Sequence, residues 1–159
     1  MSKTIMPELY ETITVEKGLE LCKHFGLDYL VKRIEAHPEI YRDWEFDGCS
    51  WYPDKFFWKV LLFGKGKKIT YECCLPHDLA YAYGEDIEQE REKADSKLRD
   101  DLINKAKIYK FIAQGFYLVV RAGGGSSFAD EGDEHKDNIF TDFKWKFAHK
   151  YNRAGDLRR

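Results

Sequence analysis

Residues 73–81 read Cys-Cys-Leu-Pro-His-Asp-Leu-Ala-Tyr and carry the strongest structural signal in the chain. The apolar residues predict a helix over 70–84, in which Pro76 either occupies the first turn or causes a kink. On a helix, His77 and Tyr81 share one face, and Asp78 lies three residues before Tyr81. Polar groups in such an apolar segment must be hydrogen-bonded or used in function, so these residues are site candidates.

A second carboxylate lies on the next predicted helix, over residues 87–113. The short connection to the first helix favours antiparallel packing. The apolar stripe of the second helix has steps of three and four residues and consists of Ala94, Leu98, Leu102, Ala106, Tyr109 and Ala113. Asp95 lies at the edge of this stripe, so we predict that it is hydrogen-bonded to His77 and holds that imidazole as a base for water. Asp78 is then left to bind a hard cation through oxygen.

The remaining sequence predicts a further helical region and a small sheet. Residues 15–36 have a helical pattern that Gly26 interrupts and His37-Pro38 ends. Phe116 to Val120 is compatible with a helical continuation or with a strand. The predicted antiparallel sheet is drawn from residues 40–52, 116–121 and 139–148.

These elements predict an α+β fold, with two packed antiparallel helices that carry the His-Asp/Asp site beside the small sheet. The length of 159 residues favours one domain, 1–159. Residues 122–138 are predicted to form a flexible loop, and residues 150–159 a disordered tail.

Charge and hydropathy exclude several classes of protein. Lys and Arg number 26 against 28 Asp and Glu, so a net charge of −2 gives no electrostatic case for nucleic acid. No apolar run reaches transmembrane length and no signal peptide is recognisable, so we expect a cytoplasmic or virion-associated protein. The four cysteines lack the spacing of a disulfide framework or a zinc site, which favours thiols packed as small hydrophobic groups.

The motif Cys73-Cys74-x-x-His77-Asp78-x-Ala80-Tyr81 resembles the active-site helix of phospholipase A2, which reads Cys-Cys-x-x-His-Asp-x-Cys-Tyr. Together with Gly84 and Ala94-Asp95-x-x-Leu98, it is also similar to the phospholipase domain of parvoviral capsids. This resemblance implies that His77 is the general base, Asp95 orients it, Tyr81 hydrogen-bonds Asp95 and Asp78 binds calcium. It also implies a phospholipid membrane surface as a partner.

A third resemblance covers more of the chain, from about residue 45 to about residue 105. Four pieces occur in the same order as in a phage and prophage domain family of uncharacterised function, which has Asp-x-x-Ser-x-Pro, Phe-Trp, His-Asp-x-x-Tyr and Ala-Asp. Here they are Asp47-Gly48-Cys49-Ser50-Trp51-Tyr52-Pro53, Phe57-Trp58, His77-Asp78-Leu79-Ala80-Tyr81 and Ala94-Asp95. This resemblance implies phage virion proteins as partners.

The calcium loop is the point at which this chain departs from phospholipase A2. Those enzymes have a glycine-rich loop about 16–20 residues before the histidine, whose carbonyls complete the metal site. Here Gly64-Lys65-Gly66 lies 11 to 13 residues upstream, with a lysine that repels a cation. Asp47 and Gly48 are the remaining candidates to complete a metal site with Asp78, although an Asp-Gly pair also predicts a turn.

Two functions are therefore compatible with the sequence. The first is a phospholipase A2-like hydrolase that uses a water activated by His77 and Asp95. The second is a non-catalytic phage structural or accessory protein that keeps the same polar residues as a buried network.

Overall fold

The computed structural model describes residues 5–46, 48, 64–85 and 88–123. These residues form an α+β fold, as predicted, with five helices and a two-stranded antiparallel sheet. In chain order the main elements are β1 (Glu11–Ile13), α1 (Val15–His24), α2 (Asp28–Ala36), β2 (Trp44–Phe46), α3 (Leu75–Tyr83), α4 (Glu88–Asn104) and α5 (Lys110–Gly123). A 3₁₀ turn at Pro38–Ile40 follows α2, and a short helical turn (Gly66–Lys68) and a π-helical segment (Ile69–Cys74) precede α3.

The small sheet and the first two helices form the N-terminal part of the fold. Strand β1 pairs with β2, with Glu11 opposite Phe46 and Ile13 opposite Trp44. The strand predicted over 40–52 is therefore present at its centre, but its partner β1 was not predicted, because three residues are too short for a recognisable alternation. The predicted helical break at Gly26 is confirmed, since that glycine has a φ of +66° between α1 and α2.

The helix predicted over 70–84 is confirmed, with a π-helical first part. The Leu75 N–H donates to the carbonyl of Thr70, five residues earlier, and Pro76 then falls in the first turn of α3. Proline has no N–H for the carbonyl of Glu72. The Lys105 ammonium, from beyond the end of α4, donates to that carbonyl at 3.4 Å.

Helices α3 and α4 are antiparallel. Glu72, ahead of α3, meets Lys105 just beyond the end of α4, and His77 in α3 meets Asp95 in the middle of α4. The prediction of one helix over 87–113 is wrong beyond Asn104. Lys107 has a left-handed φ of +55° and the Ile108 N–H bonds the Leu102 carbonyl, an arrangement that ends a helix.

The strand predicted at 116–121 is also wrong, because these residues lie within α5. The run from Phe116 to Val120 is compatible with either structure in isolation. Its environment favours the helix, since residues at helical spacing are buried against α4: Ile112, Ala113 and Val120, with Phe116 partly buried.

Two apolar clusters stabilise the fold. The first joins α1, α2, the sheet and α3, and includes Leu21, Leu30 and Phe46. The second joins α4, α5 and the π-helical segment, and includes Leu102 and Ile69. The α3–α4 pair lies where the two clusters meet, so the predicted site is supported from both sides.

The cysteines differ in part from the prediction. Cys22 and Cys73 are buried free thiols, whereas Cys74 is disulfide-bonded. Within the described ranges no helix has the length and apolarity to cross a bilayer. The predicted strand at 139–148, the tail at 150–159 and nearly all of the loop at 122–138 lie outside the described residues.

Candidate functional site

Asp95 is the centre of the candidate site. It is fully buried, and its Oδ1 accepts a hydrogen bond from the Tyr81 hydroxyl at 2.6 Å and lies 2.8 Å from His77 Nε2. Its Oδ2 accepts a hydrogen bond from Arg121 Nη1 at 3.1 Å. The structure thus brings together His77, Tyr81 and Asp95, as the helical spacing and the motif resemblance together predicted.

The carboxylate fixes the chemistry of the imidazole. Because an ionised carboxylate only accepts hydrogen bonds, Nε2 of His77 must carry the proton in their contact. In the neutral ring, Nδ1 is then the nitrogen that can accept a proton. Nδ1 lies 3.9 Å from Asp78 Oδ1, and the His77 side chain is 9% exposed. The ring packs against Tyr81, with centroids 4.3 Å apart.

The pKa values follow from burial and from these contacts. Burial lowers the pKa of His77, but the neighbouring carboxylates of Asp78 and Asp95 outweigh burial and raise that pKa above its ordinary 6.5. Burial raises the pKa of Asp95, but the bonds from His77, Tyr81 and Arg121 outweigh it and bring that pKa below 3.8. Burial and the Asp95 charge raise the pKa of Tyr81, so its hydroxyl stays protonated and donates.

Three residues near Asp95 were missed by the sequence reasoning: Arg121, Glu88 and Arg91. The Arg121 guanidinium bonds both Asp95 and Glu88, and Arg91 Nη1 donates to the Arg121 carbonyl at 3.1 Å. The Arg121 bond, followed by that of Arg91, lowers the pKa of Glu88. A signal existed, because a lone arginine follows the apolar run 116–120, but its use required the correct assignment of that run to a helix.

A cleft of about 340 Å³ opens beside His77 between α2, α3 and α4. Its apolar part is formed by Leu27, Cys73, Pro76, Ala80, Ala94 and Leu98. The charged residues around it are Arg33, Glu90, Lys93, Lys97 and Asp101, with Tyr29 beside them. A mostly apolar cleft with a few polar groups is the usual form of a small-molecule site.

Of the candidate metal ligands, the structure describes Asp78 and Gly48, and these two residues lie apart. Asp78 is 9% exposed and lies beside His77. Gly48 has the positive φ of a turn glycine, +76°, and lies against Leu9 and Thr70. Thr70 precedes Asp78 by eight residues, about 12 Å of helix. Asp47 lies outside the described residues, and the described part of the chain contains no group of three or more His, Cys, Asp or Glu side chains that could hold a metal ion.

Comparisons with protein-family models, curated proteins and solved structures gave no match to this chain. The function of this chain is therefore inferred from the geometry around Asp95 and from the motif resemblances.

Proposed function

We propose that this protein is a phospholipase A2-like hydrolase in which His77 activates a water molecule for attack on a carboxylic ester. The observation that supports this most is the 2.8 Å contact between His77 Nε2 and a buried Asp95 oxygen. That contact directs the proton-accepting lone pair to Nδ1 and stabilises the imidazolium that forms when Nδ1 takes a proton. The Cys-Cys-x-x-His-Asp motif supports the same assignment.

In the proposed reaction, the water loses a proton to His77 Nδ1 as its oxygen attacks the ester carbonyl carbon. The tetrahedral intermediate then collapses, the bond from carbon to the leaving oxygen breaks, and the imidazolium returns the proton to that oxygen. Asp95 stays ionised throughout, because Arg121 and Tyr81 both donate to it. A base in this position contributes about 10²–10⁴-fold to the rate.

A phospholipid surface is the proposed source of the ester. The cleft beside His77 has an apolar wall that suits an acyl chain. Helix α5 exposes large apolar side chains, of which Phe111 is 75% and Leu118 58% exposed. These two residues are seven apart and share a helix face, as in helices that lie on a membrane surface.

Calcium enters this proposal only through Asp78. A calcium ion needs six to eight oxygen ligands, and the described residues supply one candidate carboxylate, so they do not by themselves form the site. If Asp78 holds the ion, the ion would polarise the ester carbonyl. The steps assigned to His77 and Asp95 do not depend on it.

The second candidate is a non-catalytic phage structural or accessory protein that binds virion proteins. The observation that favours it is the guanidinium of Arg121 on Asp95, which offsets the charge that should support the imidazolium. The small exposed fraction of His77, 9%, favours it as well. In that case the polar cluster holds α3, α4 and α5 together.

The experiment that separates the two candidates is fatty-acid release from mixed phospholipid vesicles, with calcium and with a chelator. His77→Gln removes the base but keeps an amide that can donate to Asp95. His24→Ala, at an exposed position of α1, is the matched control. The hydrolase predicts release by the wild type and by His24→Ala, and a loss of about 10²–10⁴-fold in His77→Gln. A wild type without release in either condition contradicts it.

A further inference from the structure

We propose that Arg121 is a positioning residue that holds the Asp95 carboxylate in the orientation that serves His77, so that docking of α5 is required to assemble the site. The catalytic consequence rests on the proposed hydrolase function. The geometric claim does not, because it concerns only the contacts that join Arg121, Asp95 and His77.

The two oxygens of Asp95 have different partners. Oδ1 is shared by His77 and Tyr81, and Oδ2 is bound by Arg121. Rotation of an aspartate carboxylate about its last bond is soft, so contacts to one oxygen alone hold its orientation weakly. Since Asp95 is fully buried, a protein donor must replace water at Oδ2.

Arg121 is itself held in place by two residues of α4, Glu88 and Arg91. Glu88, Arg91 and Asp95 are spaced three and four residues apart and share one face of α4. Arg91 donates to the carbonyl of Arg121, one of the carbonyls that a helix leaves unsatisfied at its C-terminal end. Glu88 accepts from the second guanidinium nitrogen of Arg121. The planar guanidinium can bind both carboxylates at once, which a lysine ammonium at one point cannot do with the same geometry.

These contacts depend on the packing of α5 as a whole. The position of α5 is set by apolar packing of Ile112, Ala113 and Val120 on α4. Arg121 lies one residue beyond Val120, so this packing delivers its guanidinium to Asp95. If α5 separates from α4, Oδ2 loses its partner and the carboxylate is no longer oriented toward His77.

A second arginine provides an internal control. Arg99 also joins α4 to α5, because its guanidinium lies 5.2 Å from the centre of the Tyr117 ring. Its ion pair is with Asp100 rather than with Asp95. Removal of Arg99 therefore perturbs the α4–α5 contact and the charge without touching the site.

The test is the imidazole N–H signal of His77 in proton–nitrogen spectra of the ¹⁵N-labelled full chain, assigned with His77→Gln. We expect a wild-type Nε2–H resonance that exchanges slowly with water. In Arg121→Gln the exchange should be about tenfold faster, the factor for about 1.4 kcal/mol of lost hydrogen bonding. In Arg99→Gln it should be unchanged. An Arg121→Gln protein with wild-type exchange overturns the proposal, as does a wild type without this resonance.

If Arg121→Gln does not fold, the same exchange rate of the His77 Nε2–H is measured in Arg121→Lys and, as the control, in Arg99→Lys. An exchange rate about threefold faster in Arg121→Lys alone supports the proposal, because the ammonium serves only one carboxylate at a time. Equal exchange rates in Arg121→Lys and in the wild type overturn it. Fatty-acid release is measured on the same samples. A wild type that releases none while Arg121→Gln shows faster exchange contradicts the hydrolase and leaves the positioning role standing.

Discussion

Asp95→Asn changes one charge at a fully buried position and keeps nearly the same side-chain size. The carboxylate has three polar partners, one of them Arg121 in an ion pair of 3.1 Å. Asparagine has a single acceptor oxygen, so its NH₂ group must face a donor on one of the two sides. Removal of one partner of a buried ion pair costs about 3–5 kcal/mol. Because 20% of the Arg121 side chain stays exposed and can be solvated, we expect a loss near the lower end, about 3 kcal/mol.

The same substitution should change how stability depends on pH. Despite burial, contacts with Asp78 and Asp95 raise the pKa of His77 in the folded state above 6.5. The contribution of His77 to folding stability is therefore complete below pH 6.5, and it is lost as the pH rises through the folded-state pKa. Despite burial, the bonds from His77, Tyr81 and Arg121 lower the pKa of Asp95. The contribution of Asp95 to folding stability is therefore present above pH 3.8, and it is lost as the pH falls through the folded-state pKa. In Asp95→Asn, residue 95 should no longer reduce the free energy of unfolding at acid pH. The reduction of that free energy above pH 6.5 should also be smaller, because His77 has lost its charged partner.

The assay is urea unfolding at a series of pH values, with the free energy of unfolding compared at each one. Asp100→Asn is the matched control, because Asp100 is an exposed carboxylate on the same helix and its pair with Arg99 is worth at most about 1 kcal/mol. For a chain of this size, a loss of about 3 kcal/mol lowers Tm by about 6–12 °C. A loss below about 1 kcal/mol, equal to that of the control, would refute the view that Asp95 anchors a buried charged network.

Three further substitutions or treatments test other contacts. Tyr81→Phe removes the hydroxyl that donates to Asp95 and should cost about 1.5–3 kcal/mol in urea unfolding; an unchanged midpoint would show that the bond contributes nothing. Gly18→Ala would place a methyl carbon 1.9 Å from the Tyr83 hydroxyl oxygen, so thermal melts should show a loss of about 1–3 kcal/mol, and an unchanged Tm would mean that the ring moves aside. Burial raises the pKa of the Cys22 thiol to about 12, so a thiol reagent at pH 8 should modify this thiol only when the protein unfolds. Equal labelling rates in the folded and the denatured protein would disprove this expectation.

Local patterns in the sequence were sufficient to predict those helices in which the apolar spacing and the signals for the helix ends agree. Gly26 interrupts the first helical region and His37-Pro38 ends it, and the structure has α1 and α2 on either side of that glycine. The meeting of His77 and Asp95 was also predictable, because helical spacing and a short connection place these residues on facing sides of two antiparallel helices. The bond from Tyr81 to Asp95 was expected from the motif resemblance. Such inferences use interactions over three or four residues, which the order of amino acids expresses directly.

Tertiary structure alone decided the break after α4, the helical state of 116–121 and the role of Arg121. The apolar stripe that predicted one long helix includes Ala106 and Ala113, which are both buried, yet the chain turns at Lys107 between them. Tyr109, in the same stripe, is 66% exposed. Burial of α5 against α4 and Ile69 favours this turn, and it brings Arg121 to a carboxylate 26 residues earlier. Contacts over that separation depend on how whole helices pack, and no local spacing of residues records them.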